Sequence, residues 1–145
     1  MAMTNWATAK YTGLGKEGKG HVSTQSGALK NQPYGFNTRF EDEVGTNPEE
    51  QIAAAHASCF TMALSLGLGE KGFTEGALKS KAMITLVKDG EGFTISKSEI
   101  SLDAKVKGMD QQDFEKAAMD AKNNCPISKL LDCEIILNIT SFDGR

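Results

Sequence analysis

The feature that most constrains this chain is an uncharged run: between Glu50 and Glu70 there is no Asp, Glu, Lys or Arg. The surrounding stretch, residues 47 to 72 (NPEEQIAAAHASCFTMALSLGLGEKG), carries helix signals at both ends. Asn47 can cap by accepting from first-turn amides, Pro48 sits where a missing N–H is harmless, and Glu50 falls at the capping-box position. Gly72 suits a left-handed residue after the last turn, with Lys71 facing the negative end of the dipole. A membrane span is the first reading of such a segment. It is set aside because the run contains Gln51, His56, Ser58, Thr61 and Ser65, draws much of its apolar character from alanine, and lacks a flanking basic cluster. A helix apolar on nearly all sides must be wrapped by protein. A chain of 145 residues supplies only part of that cover, so a second subunit is expected.

With 39% hydrophobic residues the chain reads as a single domain over 1–145, and its net charge of −3 offers no basic stripe for nucleic acid. The opening MAMTNWATAKY lacks the basic and apolar regions of a signal peptide. Together with three cysteines, an odd number, this points to a reducing cytoplasm and to thiols used for chemistry or packing rather than as a disulfide scaffold.

The flanking segments read as strands and shorter helices. NWATAKY (5–11) and GHVSTQ (20–25) form a hairpin across the glycine-rich TGLGKEGKG, and YGFNTRF reads as a third strand ending at Arg39 and Phe40. Residues 77–87 alternate as a half-buried strand, and 93–107 is the antiparallel partner across a DGEG turn. The apolar parity of that partner changes along its length, which a bulge between Ser96 and Glu99 explains. Asp110 caps a helix whose inward stripe is Phe114, Ala117, Ala118 and Ala121, a short helix opens at Pro126, and 133–142 is a last strand. The order predicts an α+β fold with helices on one face of antiparallel sheets.

Several residues could carry chemistry. Cys59 lies mid-helix, where burial as a small hydrophobe is one reading and a thiolate ionised by a cation from elsewhere is the other. Cys125, in NNCPISKLL, stands at the N-cap of the short helix, either as an ordinary cap or as a thiol favoured by the helix end. Cys133 alternates with Ile135, Leu137 and Ile139 and reads as packing. Arg39 reads as a surface cation paired with Glu41 or Glu43, and Glu49 and Glu50 as first-turn acids complementing the dipole. A metal held by His56, Cys59, Cys125 and His21 is weighed and set aside, since no CxxC or paired-histidine spacing supports it.

QPYGFNTRFE, GTNPEEQIAAAHASCFTMALSL and NNCPISKLL together resemble the OsmC/Ohr family, the osmotically inducible protein C and organic hydroperoxide resistance proteins, and more closely its OsmC branch. The resemblance covers nearly the whole chain. It implies an intertwined homodimer in which antiparallel sheets wrap a pair of long central helices. It also implies a thiol peroxidase that reduces organic hydroperoxides, and hydrogen peroxide more weakly. By resemblance Cys59 is the peroxidatic cysteine and Cys125 the resolving one. Arg39 would stabilise the thiolate and Glu49 would hold Arg39. No metal or organic cofactor is implied; the partners are the hydroperoxide and an external dithiol, such as a lipoyl protein. Phe36, Phe40, Phe60 and Met62 are candidates to line the substrate pocket, with core packing the competing reading. Along an unbroken helix Glu49 and Cys59 are separated by about 15 Å of rise. Glu49 would then serve Cys59 of the other subunit, unless the helix kinks. The competing function is a non-catalytic stress or ligand-binding protein holding a small hydrophobic molecule near Cys59.

Overall fold

The computed structural model describes residues 1–145. In chain order the elements are β1 (Ala7–Thr12), β2 (Lys19–Thr24), β3 (Gln32–Tyr34), α1 (Phe36–Phe40), α2 (Pro48–Glu70), β4 (Gly76–Asp89), β5 (Gly92–Val106), α3 (Gln111–Asn124), α4 (Pro126–Leu130) and β6 (Glu134–Asp143). This is the expected α+β class. No shift in composition marks a boundary, yet the chain forms two compact units, Met1–Gln51 and Ile52–Arg145.

In the first unit, β1, β2 and β3 make a three-stranded antiparallel sheet. Pro33 is tolerated in β3 because that strand is at the sheet edge. The expected third strand through Arg39 and Phe40 is corrected: it stops at Tyr34, and Phe36–Phe40 winds into a helical turn. Thr38 is the cause. Its hydroxyl accepts from the Gly35 amide at 2.8 Å and donates back to the Gly35 carbonyl at 3.0 Å, closing a turn where alternation alone would continue the strand.

The long helix α2 starts at the end of this unit and carries on into the next as one unbroken helix of 23 residues. Asn47 Oδ1 accepts the Glu50 amide at 2.8 Å, as its capping role requires. At the other end Gly72 adopts φ of 93°, and the Phe73 amide reaches back to the Leu68 carbonyl at 3.0 Å, the long bond of a Schellman-type stop.

In the second unit, β4, β5 and β6 form a sheet covered by helices. α2 buries one stripe there, His56, Phe60, Leu64 and Leu68, spaced by four residues. Met62 and Leu66, on another face, are 61% and 63% exposed. The chain by itself therefore buries this helix completely along one line only. Ile100, Leu102, Ala104 and Val106 of β5 meet that stripe together with Phe114, Ala117, Ala118 and Ala121 of α3. Phe114 also stacks on Phe142 of β6 with ring centroids 4.5 Å apart.

The β4–β5 ladder pairs Thr85 with Lys97 but Leu86 with Ile95, so Ser96 is the extra residue of a bulge. This is the parity switch read from the sequence. The expectation of wholly antiparallel sheets is corrected at one pair: β6 runs parallel to β5, from Lys97 beside Glu134 to Lys105 beside Asp143. A parallel neighbour needs a crossover rather than a tight turn, and α3 with α4 supplies it.

Candidate active site

The second unit brings two thiols together. Cys59 is half-buried on α2, one residue before the core side chain Phe60, while Cys125 is completely buried. Cys125 ends α3 and is also the N-cap of α4, with Pro126 in the first turn. Its own amide bonds to the Ala121 carbonyl at 2.9 Å, so the backbone pins its position.

The two thiols act on one another, and their environments push their acidities in opposite directions. Burial raises the Cys59 thiol above its ordinary range, the neighbouring Cys125 raises it further, and the Ile127 amide only partly opposes them. For Cys125 burial also acts upward, but donation from Cys59, then from the amide and hydroxyl of Ser128, then from the Ile127 amide, brings the thiol below its ordinary range. The two amides do not close a full cap hydrogen bond with the sulfur, but they face it closely enough to favour the thiolate. Within residues 52–145 no cation acts on Cys59.

The first unit holds the charged pair. Arg39 lies in the last turn of α1, and its Nε donates to both carboxylate oxygens of Glu49 at 3.1 Å while Nη2 donates to Oε1. The expected pairing with Glu41 or Glu43 is corrected, since Glu43 meets Lys19 at 3.8 Å instead. A planar fork on a carboxylate is the strong geometry for such a pair, and the Glu49 side chain is only 13% exposed. The guanidinium also lies 5.1 Å from the Phe40 ring centre. Beside it is a cavity of about 360 Å³ lined by Tyr11, Tyr34, Phe36, Arg39 and Phe40 among others. Lys16 lies over the Phe36 ring at 5.0 Å.

Of the other expected pocket residues, Phe60 is corrected to core, being wholly inaccessible in the cluster with Leu64 and Ile100. A side chain closed in on all sides by core packing has no face left for a ligand. Met62 stands on the exposed face of α2. Cys133, just before β6, packs half-buried and its thiol is raised, first by burial and then by Asp132.

The role of His56 is not legible from its neighbours along the chain. The residue is fully buried, its Nδ1 lies 2.7 Å from Ser98 Oγ and its Nε2 lies 2.7 Å from Ser128 Oγ. With both nitrogens held by hydroxyls it has no lone pair to spare for a metal, and no group of three or more potential metal ligands is gathered in the chain. Ser98 could not be singled out, because its partner is 42 residues away. Ser128 carried a local signal, since it occupies the capping-box position relative to Cys125.

Burial lowers the His56 pKa from 6.5. The folded state thus takes up this proton less readily than the unfolded chain, so His56 contributes full stability above about pH 6.5 and loses it as pH falls towards the folded value. Thermal midpoints measured from pH 7.5 to 5 should decline more steeply in the wild type than in His56→Gln. Parallel curves would show that His56 does not carry the acid sensitivity.

The OsmC-like protein family model matches residues 40–140, which include both thiols and Glu49. This chain belongs to the OsmC family. It is 52% identical over 130 residues to Peroxiredoxin OsmC of Escherichia coli, covering 90% of this chain and 91% of that protein. It is 32% identical over 124 residues to the organic hydroperoxide resistance protein OhrB of Bacillus subtilis, covering 84% and 88%. The crystal structure of OhrB from Bacillus subtilis superimposes with a TM-score of 0.71 at 26% identity, covering 95% of this chain and 98% of that one. An OsmC-like protein from Vibrio cholerae gives 0.76 at 15% identity, covering 95% and 99%, and supports the fold alone. The OsmC fold of this chain is the α+β arrangement of two sheets and a long helix described above.

Proposed function

We propose that this OsmC-family protein is a thiol peroxidase that reduces organic hydroperoxides to alcohols. The observation that carries the reading is the Cys59–Cys125 pair, two free thiols held in hydrogen-bonding reach with opposite shifts in acidity. The names of its relatives, a peroxiredoxin and an organic hydroperoxide resistance protein, support the same class of chemistry.

In this mechanism the Cys59 thiolate attacks the outer oxygen of the hydroperoxide. The O–O bond breaks, the leaving alkoxide takes a proton to become the alcohol, and sulfur is oxidised to sulfenic acid. Cys125 then attacks that sulfur as a thiolate, expelling hydroxide, which leaves as water after protonation, and a disulfide forms. An external dithiol reduces the disulfide by two exchanges and restores both thiols.

Cys59 needs a cation to ionise, because its own unit raises its pKa. Arg39, fixed on Glu49, is the cation we assign. Since α2 is unbroken, Glu49 lies roughly 15 Å along the axis from Cys59 of the same helix. The Arg39–Glu49 pair is therefore assigned to Cys59 of a partner subunit in a homodimer. The thinly covered faces of α2 support association, since Met62 and Leu66 stand exposed there. Phe36 and Phe40 would give the organic part of the substrate an apolar seat beside Arg39.

The deciding measurement is the intact mass of reduced protein treated with one equivalent of cumene hydroperoxide, followed by peptide mapping. The expected product has lost two hydrogen atoms and joins the peptides bearing Cys59 and Cys125. Protein whose three thiols all remain open to alkylation after treatment would overturn the reading.

A further inference from the structure

We propose that Ser98, His56 and Ser128 form a buried hydrogen-bonded relay that positions and polarises Cys125, making its sulfur the leaving group when the Cys59–Cys125 disulfide is reduced. The inference rests on the thiol chemistry proposed above and assigns residues that the two-cysteine reading leaves without a role.

A relay that ends on Cys125 fixes its own proton arrangement. His56 is enclosed and neutral, so one ring nitrogen donates and the other accepts. Ser128 stands in the first turn of α4, which Cys125 N-caps, and in the proposed relay its hydroxyl hydrogen points to the Cys125 sulfur, the direction in which Ser128 lowers that thiol. The hydroxyl has a single hydrogen, so towards His56 Nε2, 2.7 Å away, it must accept. Nε2 therefore carries the ring proton. Nδ1 is left as the acceptor, and the Ser98 hydroxyl donates to it at 2.7 Å. The hydrogen bonds run in one direction, Ser98 to His56 to Ser128 to Cys125, and end on the sulfur. The opposite tautomer would turn the Ser128 hydroxyl away from Cys125.

Burial argues that this arrangement is selective. His56, Ser98 and Cys125 have no exposed surface and Ser128 only 8%. Water cannot replace a lost donor at such a site, and hydrogen bonds aligned in a low dielectric strengthen one another. No charged side chain is among the groups acting on Cys125, so these dipoles carry the control that a cation would exert elsewhere. The relay also ties α2, β5 and α4 together, which fixes the Cys125 helix against the helix carrying Cys59.

The step it serves follows from access. Cys125 is sealed, while Cys59 is half-buried, so an incoming dithiol reaches the Cys59 sulfur. Its thiolate forms a bond to Cys59 Sγ, the S–S bond breaks, and the electron pair goes to Cys125 Sγ. The Ser128 hydroxyl donates to that developing charge. The second thiolate of the dithiol then attacks the mixed disulfide, leaving oxidised dithiol and the Cys59 thiolate. Exchange quickens as the leaving thiol becomes more acidic.

The test titrates Cys125 alone. In a Cys59→Ser, Cys133→Ser background, thiolate absorbance is followed against pH with Ser, Ala or Thr at position 128. Ser128→Ala should move the Cys125 midpoint upward, and Ser128→Thr, which keeps the hydroxyl, should leave it in place. Ser98→Ala, at the far end of the relay, should give a smaller shift of the same sign. With both thiols present, reduction of the disulfide by dithiothreitol should slow roughly threefold or more in Ser128→Ala and recover in Ser128→Thr. An unchanged midpoint and exchange rate in Ser128→Ala would overturn the relay, as would a Thr variant as impaired as the Ala one. The titration uses no peroxide, so a shifted midpoint in a protein that fails to consume hydroperoxide would count against the peroxidase reading alone.

Discussion

Serine at Cys59 is expected to abolish catalytic consumption of cumene hydroperoxide in the presence of a dithiol, a fall on the order of 10³-fold or more. Serine has the shape of cysteine with a smaller terminal atom, so the packing beside Phe60 is disturbed little. What changes is the nucleophile, since a hydroxyl is scarcely ionised at neutral pH and has no sulfenic acid chemistry. Cys125→Ser should behave differently. Its first turnover should proceed, because Cys59 is intact, and its sulfenic acid should persist until excess peroxide carries it to the sulfinic level or an external thiol removes it. Mass spectrometry separates the two cases by the oxygen atoms retained on the Cys59 peptide. Wild-type peroxide consumption in Cys59→Ser would remove the central assignment.

Arg39→Met should lower kcat/KM for the same substrate on the order of 10²-fold, the usual scale for losing one preorganised electrostatic partner of a reaction centre. Methionine preserves most of the length and apolar body of arginine while removing the fork that takes Glu49 through Nε and Nη2. Arg39→Lys keeps the charge but cannot make the two-pronged contact, so it should recover only part of the rate. Loss of the ion pair also leaves Glu49 poorly compensated where it is mostly buried, so the thermal midpoint should be recorded beside the kinetics. A rate within twofold of wild type in a folded Arg39→Met would exclude Arg39 from the chemistry. The size of the effect would also measure how far Cys59 depends on a cation that its own unit does not supply.

Features encoded by near neighbours were legible in the sequence. The Asn47 cap, the left-handed Gly72, the Asp110 cap and the alanine face of α3 each depend on residues within a turn or so of one another. The parity slip around Ser96 was legible for the same reason, since a bulge displaces every later side chain by one position. At Phe36–Phe40 the alternating pattern misled, because one threonine hydroxyl closing on Gly35 decided between strand and helix. The parallel entry of β6 was hidden because direction is set by the crossover, and alternation is the same either way. Phe60 was indistinguishable from a pocket residue until the cluster around it was seen. In the candidate site Cys59 and Cys125 stood out by type and place, and the family pattern paired them. Ser98 and Ser128 did not, because serine is common and their meaning comes from a histidine 42 and 72 residues away.

The parallel strand has a consequence for the order in which the chain acquires its chemistry. The β4–β5 hairpin is local and can zip from its turn, whereas β6 must return to β5 after two helices, pairing Lys97 with Glu134 across a long loop. Contacts of that span close slowly, because the entropy of the loop is spent before the strand is gained. Cys125 lies within the returning segment, between α3 and α4. The segment that brings Cys125 to Cys59 is thus the one that closes this loop. If the two thiols pair as proposed, the moment at which a refolding chain first forms the Cys59–Cys125 disulfide should report the docking of that segment.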